Sequence, residues 1–386
     1  MRFWGYSRPD GRVGIRNHVL VMATCACSSD AARIVSSKVP GTVSFNNQNG
    51  CGQTMNDLAI TLDVLSGFAA NPNIYGTLII SLGCELAEYE VVEKHIAAKT
   101  NKPLCKIAIQ EEGGTVKTIE KAVRIAEQLV REAALCQREE CDISELILGT
   151  ECGGSDPTSG LSANPVVGNL SDRLIDLGGT SILSETTEFV GAEHILAKRG
   201  RTEEIKEHIL EIVTRYEKHL ANVGEDLRSG QPSPGNKAGG ITTLEEKSLG
   251  CIHKSGHKII EAIYDYAKIV DKRGLVIMDT PGYDVASVTG MVAGGSQIVV
   301  FTTGRGTPVG NPIAPVIKIT GNKRTFETMF DNMDYDTSGS ISGEKTVEQL
   351  GEELLEMVID IANGKQTKAE ILGMNEIAIS RLCNYC

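Results

Sequence analysis

The chain has 386 residues, enough for two or three domains, and its 41% hydrophobic and 23% charged residues are ordinary for a globular protein. A formal net charge of −12 argues against a nucleic-acid partner, because neutralising phosphates requires a basic surface. The sequence shows neither a secretory signal nor an apolar run of the ~20 residues that span a bilayer, so we predict a cytoplasmic protein with no membrane partner.

The first part of the chain alternates short apolar runs with amphipathic stretches. The pattern predicts strands at 18–24, 75–82 and 104–109, and helices at 28–37, 54–69, 116–136 and up to residue 99 after the second strand. Strands that alternate with helices favour a mostly parallel sheet with helices on both faces.

A charged stretch at 137–142 separates this part from a second, less regular one. It predicts a boundary between a domain of residues 1–140 and a domain of residues 141–386. In the second domain we predict a polar loop at 228–240, strands at 146–150, 181–183, 274–278, 298–302 and 316–319, and helices at 192–199, 202–222, 256–269 and 346–363. The expected fold is α/β, in two lobes with mostly parallel, helix-covered sheets.

Three of the eleven cysteines share one local pattern. Cys51, Cys84 and Cys152 each lie beside glycine just after a strand, and ligands collect at the carboxyl ends of strands in open α/β sheets. Three thiols at such positions are suited to iron, an iron–sulfur cluster or zinc. The alternative, which the pattern leaves equally open, is three buried cysteines in tight turns.

Other motifs carry less weight. Cys251 is a weaker candidate, and the Cys-x-x-Cys of Cys383 and Cys386 is interpreted as two exposed thiols near a chain end. The segment 279–282 (DTPG) is like part of a GTPase, but the chain has no phosphate-binding glycine loop, which excludes a nucleotide triphosphatase. A calcium loop starting at Asp334 fails because its twelfth position is Lys345.

Taken together, several polar segments resemble the altronate/galactarate (sugar-acid) dehydratase family. The matching segments are 5–17 (GYSRPDGRVGIRN), 81–85 (SLGCE), 109–115 (IQEEGGT), 151–168 (ECGGSDPTSGLSANPVVG), 182–196, 232–249, 278–295 and 301–306 (FTTGRG). They cover nearly the whole chain in order. The resemblance implies a hydro-lyase that converts a sugar acid or related 2-hydroxy acid to a 2-keto acid with iron, as Fe²⁺ or a [4Fe–4S] cluster on Cys51, Cys84 and Cys152.

Two departures from the family pattern qualify this expectation. Family members carry an additional small β-rich (SAF) module at the N-terminus, and this chain starts at the second domain, so we expect a separate small SAF-domain subunit and an oligomer. Asn47 also stands where the family often has a histidine before the cysteine that matches Cys51. That exchange bears on the substrate and on the surroundings of the metal.

Elimination of water needs a base for the C2 proton and groups that bind the acid. The candidates for the base are histidines and lysines: His194, Lys237, Lys247 and His257. The candidates for binding a small anionic hydroxy acid lie in the motif loops: Arg16, Asn17, Gln110, Gly113, Gly114, Ser155, Asp156, Asn164, Asn236, Asp279, Thr280 and Arg305. For each residue alone, a solvated or packed side chain is the competing interpretation.

Two alternatives to a hydro-lyase remain open at this stage. The first is a related carbon–sulfur lyase that expels sulfite from a sulfonated hydroxy acid. The second is a non-catalytic subunit that binds a metal or a ligand. Loss of activity on every hydroxy acid, with or without metal, would favour the second.

Overall fold

The structure, a computed structural model, describes residues 1–383, so Cys386 of the predicted Cys-x-x-Cys lies outside the described residues. The strands in chain order are β1 (Arg2–Ser7), β2 (Val13–Gly14), β3 (His18–Ala23), β4 (Thr42–Val43), β5 (Ile74–Ser81), β6 (Leu104–Ala108), β7 (Glu139–Asp142), β8 (Ile147–Cys152), β9 (Thr180–Leu183), β10 (Ile260–Tyr264), β11 (Gly274–Met278), β12 (Ile298–Thr302), β13 (Val316–Thr320) and β14 (Tyr335–Asp336).

The helices are α1 (Ala26–Lys38), α2 (Met55–Ala70), α3 (Tyr89–Ala97), α4 (Thr115–Ala133), α5 (Asn164–Asp176), α6 (Glu193–Ala197), α7 (Glu203–Asn222), α8 (Leu227–Gly230), α9 (Pro234–Gly239), α10 (Leu244–Cys251), α11 (Asp284–Ala293), α12 (Lys323–Thr328), α13 (Gly339–Ser342), α14 (Val347–Ala362) and α15 (Lys368–Leu372). None of these helices is both long and apolar enough to cross a bilayer.

The first lobe is built on a parallel sheet with the strand order β4-β3-β5-β6. Helices α1 and α4 pack on one face, and α2 and α3 lie on the other. In α4 the buried residues Thr118, Ala122, Ala126, Leu129 and Ala133 recur every three or four positions, which gives one apolar stripe toward the sheet. Both faces are therefore covered, as a parallel sheet requires.

The second lobe is a seven-stranded parallel sheet with the order β10-β11-β9-β8-β12-β13-β14. The chain passes from β8 to β9 on one side and returns to place β12 on the other. This change of direction leaves a crevice at the carboxyl end of β8, the usual ligand position in open α/β sheets. Helices α5 and α14 cover one face and α11 the other.

The two lobes are joined along helices α2 and α11. Gly67 lies so close to Ala293 that an added Cβ would be 2.4 Å from the Ala293 carbonyl oxygen. Asn71, just after α2, donates from Nδ2 to the Val292 carbonyl at 2.8 Å, and residues of the segment 44–48, in the loop between β4 and α2, share a cavity with Tyr283 just before α11. The helices thus run side by side in the same direction. Residues that follow β4 and residues that follow β11 therefore line one cavity.

The predicted α/β class with two mostly parallel, helix-covered sheets is confirmed. The predicted helix at 256–269 is wrong, because this segment contains β10, which pairs in parallel with β11 at one edge of the large sheet. The loop predicted at 228–240 contains the short helices α8 and α9. β7 pairs antiparallel with β1, so the charged stretch closes a small sheet beside the N-terminal strand; the boundary at residue 140 stays a prediction.

Candidate functional site

A group of polar side chains is buried at the carboxyl end of β8 and β9. Cys152 ends β8, Glu185 and Glu188 follow β9, and Cys251 and Lys254 come from the end of α10 and the turn after it. All five are buried. We refer to these five residues as the buried cluster.

Lys254 is the centre of this cluster. Its Nζ lies 2.8 Å from Glu185 Oε2, 2.8 Å from Glu188 Oε2 and 3.0 Å from Cys152 Sγ. Cys152 Sγ is in turn 2.9 Å from Glu188 Oε2 and 3.4 Å from Cys251 Sγ. A lysine side chain 1% exposed is stable there because its charge is balanced by carboxylates.

Burial and charge move the pKa values of these groups apart. Burial raises the pKa of the Glu185 carboxyl, with Glu188 adding to the effect, to about 7. Burial acts in the same direction on Glu188, but Lys254 and Lys247 outweigh it and lower the pKa of Glu188 to about 2. Burial raises the pKa of the Cys152 thiol well above its usual value. The cluster therefore contains an ionised Glu188, a protonated Cys152 and a carboxyl near its titration point.

Three carboxylates form a second group beside the first. One oxygen from each of Glu151, Glu185 and Asp284 lies within 4.8 Å of the others. Glu151 Oε2 accepts from Ser287 Oγ at 2.6 Å, whereas Oε1 is buried and has no donor among residues 1–383. Burial, with the neighbouring Glu185 carboxylate adding to the effect, raises the pKa of Glu151 well above its usual value and favours its protonated form.

The backbone at Glu185 is held in an unusual conformation. Its φ of 67° lies in the left-handed region, which costs a non-glycine residue roughly 1 kcal/mol or more. Its N–H donates to Thr280 Oγ1 at 2.7 Å, and its Oε2 accepts from the Cys152 N–H at 3.0 Å. These hydrogen bonds stabilise the strained conformation, which directs the Glu185 carboxylate into the cluster.

The donor atoms of Cys152, Glu188 and Cys251 lie within 4.8 Å of one another and could hold a metal ion. Two thiols and one carboxylate suit Fe²⁺ or Zn²⁺ better than a hard cation. The thiols must lose their protons to bind, and Lys254 already contacts two of the three donors. The donors therefore fit such a metal, which would displace protons and weaken the contacts of the ammonium group.

A cavity of about 240 Å³ opens next to the cluster, and Cys251 forms part of its wall. Lys247 and His253 also line it. Lys247 Nζ lies 3.4 Å from Glu188 Oε1, whose charge raises the pKa of Lys247 against the effect of burial. His253 is exposed at its surface, and partial burial of its ring, with the nearby His257 adding to the effect, lowers its pKa and favours the neutral imidazole. A larger cavity, about 540 Å³, lies by Asp336 and is lined by none of the cluster residues.

Several predicted binding residues surround the smaller cavity. Ser155, Asp156, Asn164 and Lys247 line it, and Asn236 Nδ2 donates to the Ser155 carbonyl at 2.8 Å. The sequence pattern thus identified one wall of the cavity. Lys247 is the one predicted base that reaches it.

Two other predicted residues support the cluster from the loop directly after strand β11. Thr280 holds the Glu185 backbone, as described, and accepts or donates a hydrogen bond with Ser287 Oγ at 2.9 Å. Asp279 binds the Thr186 hydroxyl and forms an ion pair with Arg215. Both act on the shape of the loop that carries Glu185.

Arg16 and Asn17 lie away from the cluster and join parts of the fold. Arg16 Nε donates to Glu370 Oε1 at 2.7 Å, and its other nitrogens donate to the carbonyls of Ile361 and Lys365 at 2.8 Å. Asn17 Nδ2 donates to the Ala133 carbonyl at 2.7 Å. These contacts use the polar atoms that were expected to bind substrate.

The remaining predicted bases and Arg305 face solvent. His194 and Lys237 are exposed, and His257 Nδ1 lies 2.9 Å from Asp172 Oδ2. Arg305 is exposed and contacts the Gly235 carbonyl at 3.4 Å. Their catalytic or binding roles stay predictions.

The structure places the three predicted metal-binding cysteines on two sheets. Cys152 groups with Cys251 and Glu188, whereas Cys51 and Cys84 are exposed at the carboxyl edge of the four-stranded sheet and belong to neither group of ligand atoms above. Gln110 contacts Cys84, and Gly113 and Gly114 form the turn before α4 at the same edge. A shared site for all three cysteines stays a prediction.

Glu185, Glu188 and Lys254 are not among the site residues predicted from the sequence. Glu185 and Glu188 lie in the matched segment 182–196, between two apolar stretches, and Lys254 lies three residues after Cys251. Charged residues bounded by apolar ones in this way are a sequence signal for buried ion pairs.

An open α/β sheet with a buried acid–thiol–lysine cluster beside a small cavity that carries a few polar side chains is the site of a small-molecule enzyme. The sequence model described as D-galactarate/altronate dehydratase, C-terminal, matches residues 143–384, and the model of the second domain of D-galactarate dehydratase/altronate hydrolase matches residues 5–134. The chain belongs to this family, whose members are lyases.

Individual relatives differ in how much of their length the chain matches. It is 39% identical to the (2R)-sulfolactate sulfo-lyase subunit beta of Chromohalobacter salexigens over 98% of this chain and 97% of that one. It is 32% and 33% identical to the altronate dehydratases of Bacillus subtilis and Escherichia coli, over 98% and 97% of this chain but 77% and 76% of theirs.

Proposed function

We propose that the chain is the large subunit of a carbon–sulfur lyase that removes sulfite from a sulfonated 2-hydroxy acid such as (2R)-sulfolactate. The observation that carries this proposal is the match to a sulfo-lyase beta subunit over nearly the full length of both chains. The altronate dehydratases extend well beyond the matched region. A small separate subunit, which we expect to be SAF-like, would complete the enzyme, and an oligomer stays a prediction.

The size and charge of the cavity support a short, anionic substrate. Its volume of about 240 Å³ is below the ~300–1,000 Å³ typical of sites for drug-sized ligands. The Lys247 ammonium group is held charged by Glu188 and can bind a carboxylate or sulfonate. A three-carbon acid with two anionic groups fits these properties better than a six-carbon sugar acid.

The proposed reaction is a β-elimination. A base takes the C2 proton, the C–H electrons form the C2–C3 double bond, and the C3–S bond breaks so that sulfite leaves with its electron pair. The resulting enol takes up a proton at C3 and becomes the 2-oxo acid, so nothing is oxidised or reduced. Iron bound by Cys152, Cys251 and Glu188 would supply Lewis-acid polarisation of substrate oxygens.

His253 is the base that we assign. It lines the cavity, and its neutral imidazole can accept a proton at pH 7. Lys247, the predicted base that reaches the cavity, is too strongly protonated for this task and is assigned to binding the acid. His253, His194 and His257 are all exposed, but of the three it is His253 that lines the cavity, so the other two provide the comparison.

The test is turnover by the chain with its small subunit and ferrous iron, measured as sulfite release from sulfolactate and as 2-keto acid formation from altronate and galactarate. We expect sulfite, with loss of a C2 deuterium label, and a drop of about 10²–10⁴-fold for His253→Gln. His194→Gln and His257→Gln should retain activity. Turnover of a sugar acid with no sulfite release would replace this proposal with the hydro-lyase.

The hydro-lyase remains a second candidate because the family description and relatives at 32–33% identity are sugar-acid dehydratases. The same assay separates the two reactions, because the sulfo-lyase releases sulfite and the hydro-lyase does not. A complex that binds iron and converts none of these acids would instead indicate a non-catalytic subunit.

A further inference from the structure

Two thiols of the buried cluster lie next to each other. Cys152 Sγ and Cys251 Sγ are 3.4 Å apart, and both cysteines are free. Among residues 1–383, no other two cysteine sulfurs share a hydrogen bond. We propose that this pair is a thiol-oxidation site, which hydrogen peroxide converts to a Cys152–Cys251 disulfide that prevents metal binding at the buried cluster.

The distance between the two sulfurs is short enough for the bond to form. The sulfurs of a disulfide are ~2.05 Å apart, so this pair must approach by a further ~1.4 Å. Cys152 is the last residue of β8 and is fixed by the sheet, whereas Cys251 lies where the short helix α10 gives way to a tighter helical turn. We therefore expect the closing movement at Cys251.

The cavity beside the cluster gives a small oxidant access to the pair. Cys251 and Ser155 both line this cavity of about 240 Å³, and Ser155 Oγ lies 4.0 Å from Cys152 Sγ. Hydrogen peroxide, with two heavy atoms, fits in such a space. Cys152 and Cys251 are only 1% and 2% exposed, so a bulky disulfide such as oxidised glutathione cannot reach their sulfurs. The site is therefore selective for a small peroxide.

The oxidation has two steps and consumes one peroxide. The Cys251 sulfur, as the thiolate, attacks one peroxide oxygen; the O–O bond breaks, a sulfenic acid forms, and the departing hydroxide takes up the thiol proton as water. The Cys152 sulfur then attacks the sulfenic sulfur, so that the S–S bond forms and the S–O bond breaks. The second hydroxide leaves as water with the Cys152 proton, for which Glu188 Oε2, 2.9 Å from Cys152 Sγ, is the nearest acceptor. Both sulfurs are oxidised and both peroxide oxygens are reduced.

The disulfide preserves the charge balance of the cluster and removes its metal donors. Two thiols and a disulfide are all neutral, and Lys254 keeps its contacts with Glu185 and Glu188 at 2.8 Å, so no buried charge loses its partner. Metals bind thiolates, so only Glu188 of the three donors would remain. This loss of metal binding rests on the proposed function, whereas formation of the bond does not.

The test treats the full, folded, metal-free chain with hydrogen peroxide, blocks the remaining thiols after unfolding, and maps the peptides by mass spectrometry without reductant. We expect one linked pair of peptides that joins Cys152 to Cys251 and that dithiothreitol separates. Oxidised glutathione should not produce this pair. Cys136→Ser, which changes an exposed thiol elsewhere, should retain it, and Cys251→Ser should lose it. In equilibrium dialysis, oxidised wild type should bind ferrous iron at least 10-fold more weakly than reduced wild type, whereas peroxide should not change the affinity of Cys251→Ser.

Three results would overturn the proposal. The first is a peroxide treatment that oxidises Cys136 but leaves Cys152 and Cys251 as free thiols. The second is a bond from either cysteine to a third one, or a sulfinic acid at Cys251 with Cys152 unmodified. The third is a disulfide form that binds ferrous iron as tightly as the reduced chain. The peptide map needs no turnover, so a chain that forms the bond and releases no sulfite in its reduced form contradicts the proposed function alone.

Discussion

Replacing Lys254 with methionine removes the central charge of the buried cluster. Methionine keeps most of the length and apolar volume of the side chain, so the change isolates the ammonium group. Glu188 would keep an ion pair with Lys247, whose Nζ is 3.4 Å away, while Glu185 would lose its ion pair and keep the Cys152 N–H. Most of the decrease in the free energy of unfolding should therefore come from the uncompensated charge of Glu185.

The contacts of Lys254 set the size of the effect. Removing one partner of a buried ion pair costs about 3–5 kcal/mol, because the other charge stays buried without compensation. The pKa of Glu185 is already about 7, so this carboxyl can take up a proton at small cost, which limits the loss to near 3 kcal/mol. At about 2 °C for each kcal/mol, the thermal midpoint should fall by roughly 6 °C.

The assay is thermal unfolding of the metal-free chain at pH 7, with Lys258→Met as the matched control. Lys258 pairs with Asp176, which is 65% exposed, and exposed pairs contribute less than about 1 kcal/mol. Adding Glu185→Gln to Lys254→Met should recover part of the loss, because the unpaired charge is gone. A Lys254→Met midpoint equal to that of the control, or a double variant no more stable than the single one, would refute this reasoning.

Three further predictions concern the metal site, the lobe contact and the pH dependence of stability. Cys251→Ser should lower the affinity for ferrous iron at the buried cluster by at least 10-fold in equilibrium dialysis, since a soft donor is lost; unchanged affinity would contradict the ligand assignment. Gly67→Ala should reduce the free energy of unfolding by roughly 1–3 kcal/mol, because its Cβ would lie 2.4 Å from the Ala293 carbonyl, whereas Gly230→Ala, with open space around it, should change little. Burial lowers the pKa of Lys318 from 10.5 to about 8, so the unfolded chain binds more protons between these values. The free energy of unfolding relative to Lys318→Met should therefore rise by up to ~3 kcal/mol from pH 8 to pH 10.5. A difference between the two proteins that does not change with pH would show that burial does not lower the pKa of Lys318.

The local pattern of the sequence was sufficient for much of the fold. Strands β11 and β12 were predicted at their observed bounds, because a continuous apolar run between turn residues reflects burial on both faces of a parallel sheet. The segment that contains β10 was predicted as a helix. Its residues have the composition of either element, and only pairing with β11 selects the strand.

The sequence by itself also determined the family and one wall of the cavity, since Ser155, Asn164 and Lys247 lie in the motif segments. Tertiary structure decided which charges meet. Lys254 contacts Glu185 and Glu188 from about 70 residues away in sequence, and no local periodicity encodes such a contact.

The cysteines show the same division. The sequence determined that Cys51, Cys84 and Cys152 follow strands, because glycine turns and apolar runs are local features. It could not determine that the strands belong to two different sheets, since sheet membership depends on long-range pairing. That pairing puts Cys152 with Cys251, and Cys51 beside Cys84, because each thiol can only meet the groups that the fold brings to its own sheet edge.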